Sequence, residues 1–171
     1  MTTLALPERM VFYASSRVPA VVAEHLRDAA AACHDTGTAE TLLWQAQRLA
    51  PDCLTVYFAL YKFYFCKGRL QDAERVTRLG LETASRLGDI DADWHRLTPD
   101  AGRDWQRTDS PQHFFLFTLK ALAFIRLRLG GRDESIAILD KLAEIDPADR
   151  IGASVIRALA CRTSTGQTMP H

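Results

Sequence analysis

The stretch LFTLKALAFIRLRLGGRDESIAILDKLAEIDP, residues 116–147, decides the fold of this chain. Its apolar residues recur every three or four positions on both sides of Gly130 and Gly131. That period is typical of two amphipathic helices with a break between them. Pro147 ends the second run, because proline lacks the amide that a helix interior requires. The stretch therefore predicts a helical hairpin.

Parts of the same spacing occur earlier in the chain. Steps of 4, 3 and 5 residues separate the members of two sets: Ser135, Leu139, Leu142 and Pro147; Ala39, Leu43, Ala46 and Pro51. A first-helix pattern ending in a glycine turn also occurs twice: Tyr57, Leu60, Tyr64 and Gly68; Leu119, Leu122, Arg126 and Gly130. Small residues alternating with large apolar ones let antiparallel helices approach closely and interdigitate. The spacing therefore predicts more than one hairpin of the same kind.

This pattern resembles the tetratricopeptide repeat (TPR) family, whose unit of about 34 residues is a pair of antiparallel helices. The resemblance covers roughly residues 18–162. It implies an all-α fold in which antiparallel helix hairpins stack as a right-handed superhelix of about three repeats. A C-terminal capping helix would cover the last apolar face, as repeat arrays require.

The chain divides on this basis into an arm, a repeat domain and a tail. Residues 1–17 are the N-terminal arm, and residues 163–171 are expected to be a disordered tail. The TPR domain spans 18–162, with repeats at about 20–53, 54–87 and 116–149 and a capping helix at 148–162. The predicted helices cover about residues 19–34, 39–50, 53–67, 69–87, 111–129, 132–145 and 148–162.

Two details of the helices give further expectations. Ser110 before Pro111, and Asp146 before Pro147, each look like an N-cap followed by a proline in the first turn. The second helix of the middle repeat carries Thr77 and Gly80 where the other repeats have apolar residues. We therefore expect that helix to be less tightly packed.

An insertion of about residues 86–113 interrupts the regular period between the second and third repeats. Leu54 and Leu116 begin equivalent helices but lie 62 residues apart, well beyond one repeat of about 34. The insertion contains Trp94 and Trp105, and a large aromatic ring in a loop usually anchors that loop. Both tryptophans are therefore predicted as insertion anchors, in a groove between the second and third hairpins.

Metal and enzyme chemistry in this insertion is a less favoured alternative. Asp89, Asp91 and Asp93 resemble the start of a calcium-binding EF-hand loop, but Trp94 stands where that loop needs glycine. No spacing fixes the histidines and aspartates of the segment into a catalytic group. We therefore predict no metal site, no cofactor and no catalytic residues.

The first helices of the repeats are expected to line a concave groove. The residues that flank their packing positions combine aromatic rings with cations: Phe58, Lys62, Phe65, Phe117, Lys120, Phe124 and Arg128. About half of these aromatic rings are expected to be buried in packing rather than exposed. Such a surface suits an extended peptide or short helix of a protein partner that carries apolar anchors and acidic residues.

Composition and charge exclude several other classes. The 171 residues include 21 basic and 21 acidic ones, so the formal net charge of zero argues against nucleic acid or a membrane surface as the partner. The sequence MTTLALPERM at the start lacks a basic leader followed by an apolar core, which indicates a cytoplasmic location. The four cysteines form no C-x-x-C pair and are expected to be free thiols buried in packing positions.

The sequence thus predicts a non-enzymatic adaptor or scaffold that binds a partner's peptide or helix in its groove. An alternative is a dedicated bacterial chaperone or assembly factor, since the chain is similar to type III secretion translocator chaperones. The stretches FTLKALAFIRLRLG and AILDKLAEIDPADR are similar to small repeat proteins found with nitrogen-fixation genes. Divergent terminal helices also leave room for a homodimer.

Overall fold

A computed structural model describes residues 18–99 and 105–165, and every regular element in these two ranges is helical. The predicted arm at 1–17 lies outside the described residues, as do 100–104 and 166–171. The α-helices are α1 (Ala20–Ala31), α2 (Thr36–Leu49), α3 (Leu54–Cys66), α4 (Leu70–Gly88), α5 (Pro111–Arg128), α6 (Arg132–Ile145) and α7 (Ser154–Thr165). The prediction of an all-α fold is therefore confirmed for the described part of the chain.

Two glycine turns of the same design join α3 to α4 and α5 to α6. Gly68 and Gly130 have φ angles of +73° and +85°, a left-handed conformation that residues with a Cβ rarely adopt. The next amide reaches back across each turn, from Arg69 to the Tyr64 carbonyl (2.9 Å) and from Gly131 to the Arg126 carbonyl (2.8 Å). Connections this short make the joined helices antiparallel neighbours.

The helices pack in chain order. Each helix contacts the next one in sequence, and α3 also contacts α5 while α5 contacts α7. The core between them is formed by the leucines and small residues of the sequence pattern, including Leu60, Ala73, Leu122, Leu139 and Leu142, each at most 1% exposed. Three successive hairpins and a seventh helix therefore share one continuous hydrophobic core.

The middle hairpin is tightly packed, contrary to the expectation from Thr77 and Gly80. A Cβ added to Gly80 would lie 3.1 Å from the Cβ of Tyr57, closer than side chains ordinarily pack. Thr77 is fully buried, and its hydroxyl donates to the Ala73 carbonyl at 2.7 Å. Glycine here allows close approach of α3 and α4, and the threonine satisfies its own polar group within its helix.

The start of α5 follows the predicted cap. Ser110 has extended backbone angles, and its hydroxyl oxygen accepts a hydrogen bond from the His113 amide at 3.1 Å, with Pro111 as the first helical residue. The start of α2 differs from its prediction. This helix begins at Thr36, because the carboxylate of Asp35 accepts the Thr38 amide at 3.1 Å and caps it earlier.

The seventh helix begins later than predicted, and the cap assigned to Asp146 and Pro147 is wrong. Residues 146–153 form turns instead, and α7 spans Ser154–Thr165 rather than 148–162. The Asp146 carboxylate accepts the Ile151 amide at 2.9 Å, which folds the loop back. Asp149, with a φ of 51°, accepts the Ser154 amide at 3.1 Å and so satisfies the first amide of the helix. Residues 163–165, predicted as tail, belong to this helix.

Candidate functional site

The seven predicted groove residues lie on two neighbouring helices. Phe58, Lys62 and Phe65 lie on α3, and the other four lie on α5: Phe117, Lys120, Phe124 and Arg128. Helices α3 and α5 are in direct contact. We call the surface formed by these seven side chains the aromatic face.

The four phenylalanines of the aromatic face form two pairs across the helix boundary. The ring centroids of Phe58 and Phe117 lie 6.4 Å apart, and those of Phe65 and Phe124 lie 5.3 Å apart. Both pairs are tilted and fall within the range of favourable aromatic contacts. Because each pair is matched in order along the two helices, α3 and α5 run parallel here.

These four rings are half-buried. Phe58 and Phe65 pack against the hydrophobic core from outside it, and Phe58 also makes an edge-on contact with the buried Tyr61 at 5.3 Å. A half-buried ring still exposes apolar surface, and a contiguous set of such rings is the type of patch that marks interaction sites. The aromatic face thus consists of packed rings that remain partly accessible.

Two cations of the aromatic face have no carboxylate partner within the described ranges. The Arg128 guanidinium lies over the Phe65 ring at 5.8 Å, and its side chain is exposed. Lys62 stands between the two ring pairs on α3, and partial burial lowers the pKa of its ammonium. A positive charge that is partly desolvated without a counter-ion favours an approaching carboxylate.

Lys120 is a different case, because its ammonium is already engaged. Its Nζ donates to the Ile151 carbonyl at 2.5 Å and lies 4.3 Å from the Phe117 ring centroid. Burial lowers the pKa of this ammonium as well. Lys120 therefore ties α5 to the loop before α7, and we assign it a structural role instead of the groove role that the sequence predicted.

The insertion packs on its own domain. Trp94 and Trp105 are 9% and 8% exposed and belong to the same hydrophobic core as the helices. Trp94 opens a short 3-10 helix (Trp94–Arg96) that contacts α6, and Lys141 of α6 donates to the Leu97 carbonyl at 3.1 Å. The second tryptophan is held at the start of α5, where the His113 ring nitrogen lies 3.0 Å from the Trp105 carbonyl oxygen.

Three aspartates at the start of the insertion stabilise turns. Asp89 ends α4 in a left-handed conformation, Asp91 accepts the Asp93 amide at 2.9 Å, and Asp93 accepts the His95 amide at 3.1 Å. The hydrogen bonds with His95 lower the pKa of the Asp93 carboxyl. Within residues 18–99 and 105–165, no group of three or more His, Cys, Asp or Glu side chains is placed to hold a metal ion.

Comparison with curated proteins finds an uncharacterized 19.8 kDa protein from the nifW 5′ region of Azotobacter chroococcum mcd 1. It is 36% identical to this chain over 123 residues, which cover 70% of this chain and 68% of the Azotobacter protein. This chain belongs to the same family. No protein-family model matches the chain, and no solved structure does.

Among the described residues of this chain, no helix is both long enough and apolar enough to span a membrane. Its longest helix, α4, has 19 residues but carries charged side chains along its length.

The sequence interpretation missed two ionic clusters at the boundaries between hairpins. At the first boundary, Glu40 of α2 accepts the Tyr64 hydroxyl at 2.6 Å and pairs with Arg69 at 2.7 Å, and Arg69 also pairs with Asp72 at 2.7 Å. These two hydrogen bonds hold the pKa of the Glu40 carboxyl below its usual value. The cluster joins α2 to the turn between α3 and α4 and to the start of α4.

The second boundary repeats this arrangement with different residues. Arg126 of α5 pairs with Glu74 of α4 at 3.1 Å and with Glu134 of α6 at 2.6 Å, and Arg78 pairs with both acids at 2.8 Å. Glu74 follows Glu40 by 34 residues in the sequence. That spacing is one repeat period, so it is the signal that could have revealed the clusters.

Proposed function

We propose that this chain is a divergent TPR protein whose aromatic face binds a segment of a protein partner. The spacing of the apolar residues supports the repeat assignment, as do the matching turns at Gly68 and Gly130. The two ionic clusters, built around acids one repeat period apart, support it independently. In the proposed superhelix, α1, α3 and α5 are the first helices of three repeats, and α7 is the cap.

One observation carries the binding proposal. The paired rings of α3 and α5 are half-buried, and they stand beside two cations, Lys62 and Arg128, that no described carboxylate neutralises. At the hairpin boundaries, by contrast, Arg69, Arg78 and Arg126 are all paired within the chain. Aromatic rings and arginine are the residues that most often dominate binding energy at protein interfaces.

Affinity capture from the native cell extract tests this proposal. We expect Phe124→Ala and Arg128→Glu to lose a protein that the unmodified chain retains at stoichiometric yield. Leu79→Ala on α4 and Arg48→Glu on α2 are controls at exposed positions away from the aromatic face. The first also truncates a large apolar side chain to alanine, and the second makes the same charge reversal. A partner kept by both aromatic-face variants, or lost equally by the controls, would argue against this assignment.

A second candidate function is that of an assembly factor in nitrogen fixation. It is supported by the relative from the nifW 5′ region, a protein named by its position beside a nif gene. Deleting the gene should slow growth on dinitrogen but not on ammonium, and Arg48→Glu should restore growth better than Arg128→Glu. Equal growth of the deletion strain on both nitrogen sources would reject this candidate while leaving the binding face in place.

A further inference from the structure

The geometry of the aromatic face limits the shape of what can lie on it. On each helix the two phenylalanines are seven residues apart, Phe58 and Phe65 on α3, and Phe117 and Phe124 on α5. Seven residues of α-helix rise about 10.5 Å. Two ring pairs therefore form two apolar contact points about 10.5 Å apart along the boundary between α3 and α5. We call this boundary the channel.

Lys62 and Arg128, which have no carboxylate partner among the described residues, occupy different places along this channel. Lys62 lies between the ring pairs on the α3 side, four residues after Phe58. Arg128 follows Phe124 by four residues, about one helical turn, on α5, and its guanidinium lies 5.8 Å from the Phe65 ring centroid. A ligand that neutralises both needs one carboxylate between its apolar anchors and another about one helical turn outside them.

A helix fits this channel better than an extended strand. The channel is lined by phenylalanine rings, and the main-chain amides of α3 and α5 are already used within their helices. An extended peptide would leave its own amides and carbonyls against these rings without partners, which costs free energy. A helix satisfies its main chain internally and presents residues seven apart on one face.

We propose that the partner segment is an acidic amphipathic α-helix with two large apolar residues seven positions apart, one carboxylate between them and a second one turn outside. This inference rests on the proposed function, because it specifies the ligand of the same face. The helix lies along α3 and α5, its apolar residues contact the two ring pairs, and its carboxylates meet Lys62 and Arg128.

Selection from a displayed library of 18-residue helical peptides tests the proposal on the full chain. The library varies the spacing of two apolar residues from five to nine positions and randomises the intervening surface. We expect enrichment of the seven-residue spacing with Asp or Glu at the two stated places. Enrichment of another spacing, of peptides without acids, or of none at all would overturn the inference.

A charge exchange then tests the placement of the helix. Arg128→Glu should weaken the best selected peptide about tenfold or more, and changing the outer acid of the peptide to lysine should restore much of the loss. Phe124→Ala should weaken binding by about 30-fold, as an interface anchor does. Leu79→Ala and Arg48→Glu should leave the affinity unchanged, and circular dichroism should show that all four variants retain their helices.

The outcomes separate this inference from the proposed function. If native capture depends on Phe124 and Arg128 but the selected peptides lack the predicted spacing or acids, the face binds protein and the helical ligand is wrong. If sedimentation shows that the chain associates with itself through the same two residues, the occupant is a second copy, and the acidic helix is again rejected. If the unmodified chain captures no native partner and binds no selected peptide, the proposed function itself is rejected.

Discussion

The aromatic face and the insertion use similar residues in opposite ways. In the insertion, Trp94 and Trp105 are buried, and the neighbouring cation Lys141 is held by the Leu97 carbonyl and the Glu144 carboxylate. On the aromatic face, the phenylalanines keep exposed edges, and Lys62 and Arg128 have no acidic partner in the described ranges. The insertion therefore completes the fold, whereas the face leaves apolar surface and charge unsatisfied.

Under the proposed function, this difference separates the residues that stabilise the fold from those that bind the partner. Large rings in a loop are ordinarily there to be buried, because burial of an aromatic side chain stabilises a fold by several kcal/mol. A partly exposed ring contributes less to the stability of the fold, and it can contribute to the affinity for a molecule that covers it. Substitutions in the two regions should therefore divide into those that unfold the chain and those that leave it folded but unable to bind.

The largest contrast is expected between Trp94→Ala and Phe124→Ala. Trp94 is 9% exposed, so its truncation should lower the free energy of unfolding by about 3–5 kcal/mol. Phe124 is half-buried, so its truncation should cost only about 1 kcal/mol. Urea unfolding followed by circular dichroism measures both. Equal losses would mean that the aromatic face is part of the core and not a binding surface.

The next contrast lies within α5, where Arg126 and Arg128 are two residues apart. Arg126→Ala removes a cation from between Glu74 and Glu134, whose side chains are 19% and 30% exposed, and should cost about 2 kcal/mol. Arg78 still pairs with both acids, which limits the loss. Arg128→Ala should change stability by less than about 0.5 kcal/mol. Urea unfolding compares the stability of the two variants. A larger loss of stability for Arg128→Ala than for Arg126→Ala would contradict this prediction.

Much of the helical framework could be predicted from the sequence, since local rules decide it. The glycine turns at Gly68 and Gly130 need a left-handed residue, and Ser110 before Pro111 is a local capping signal. The place of α7 could not be predicted in this way. Asp146 and Asp149 could each have capped a helix directly, but they accept the amides of Ile151 and Ser154 in a loop instead. Lys120 of α5, which is distant in sequence, donates to the Ile151 carbonyl and holds this loop.

The positions of the seven residues of the aromatic face could be predicted from the sequence, but the contacts that each side chain makes could not. The period of the helices places all seven side chains on α3 and α5, because that period depends only on sequence spacing. Lys120 shares this face but donates to Ile151, 31 residues later in the chain. Whether a cation is free depends on the tertiary neighbours it meets, and spacing within one helix contains no information about them.

A third prediction tests whether Lys120 stabilises the fold, as Lys141 does beside the insertion, or binds the partner. Lys120→Met keeps the apolar stem but leaves the buried Ile151 carbonyl without its donor, so stability should fall by about 1 kcal/mol. Hydrogen exchange at residues 146–153 should become faster, while affinity for the selected helical peptide should stay within about twofold. Unchanged exchange with a large loss of affinity would return Lys120 to the binding role.

The smallest effect on stability is expected at Lys62, where the substituted protein should be as stable as the unmodified chain or slightly more stable. Partial burial lowers the pKa of the Lys62 ammonium in the folded state, so the charged form of this side chain opposes folding. The free energy of unfolding therefore rises as the pH increases from the folded pKa toward the unfolded pKa. Lys62→Leu should therefore be neutral or stabilising by less than about 0.5 kcal/mol at neutral pH, and it should weaken the rise in stability at alkaline pH. Urea unfolding at pH 7 and pH 10 compares the two proteins. A destabilised variant would show that Lys62 has a partner within the fold, and the aromatic face would then resemble the insertion at this position too.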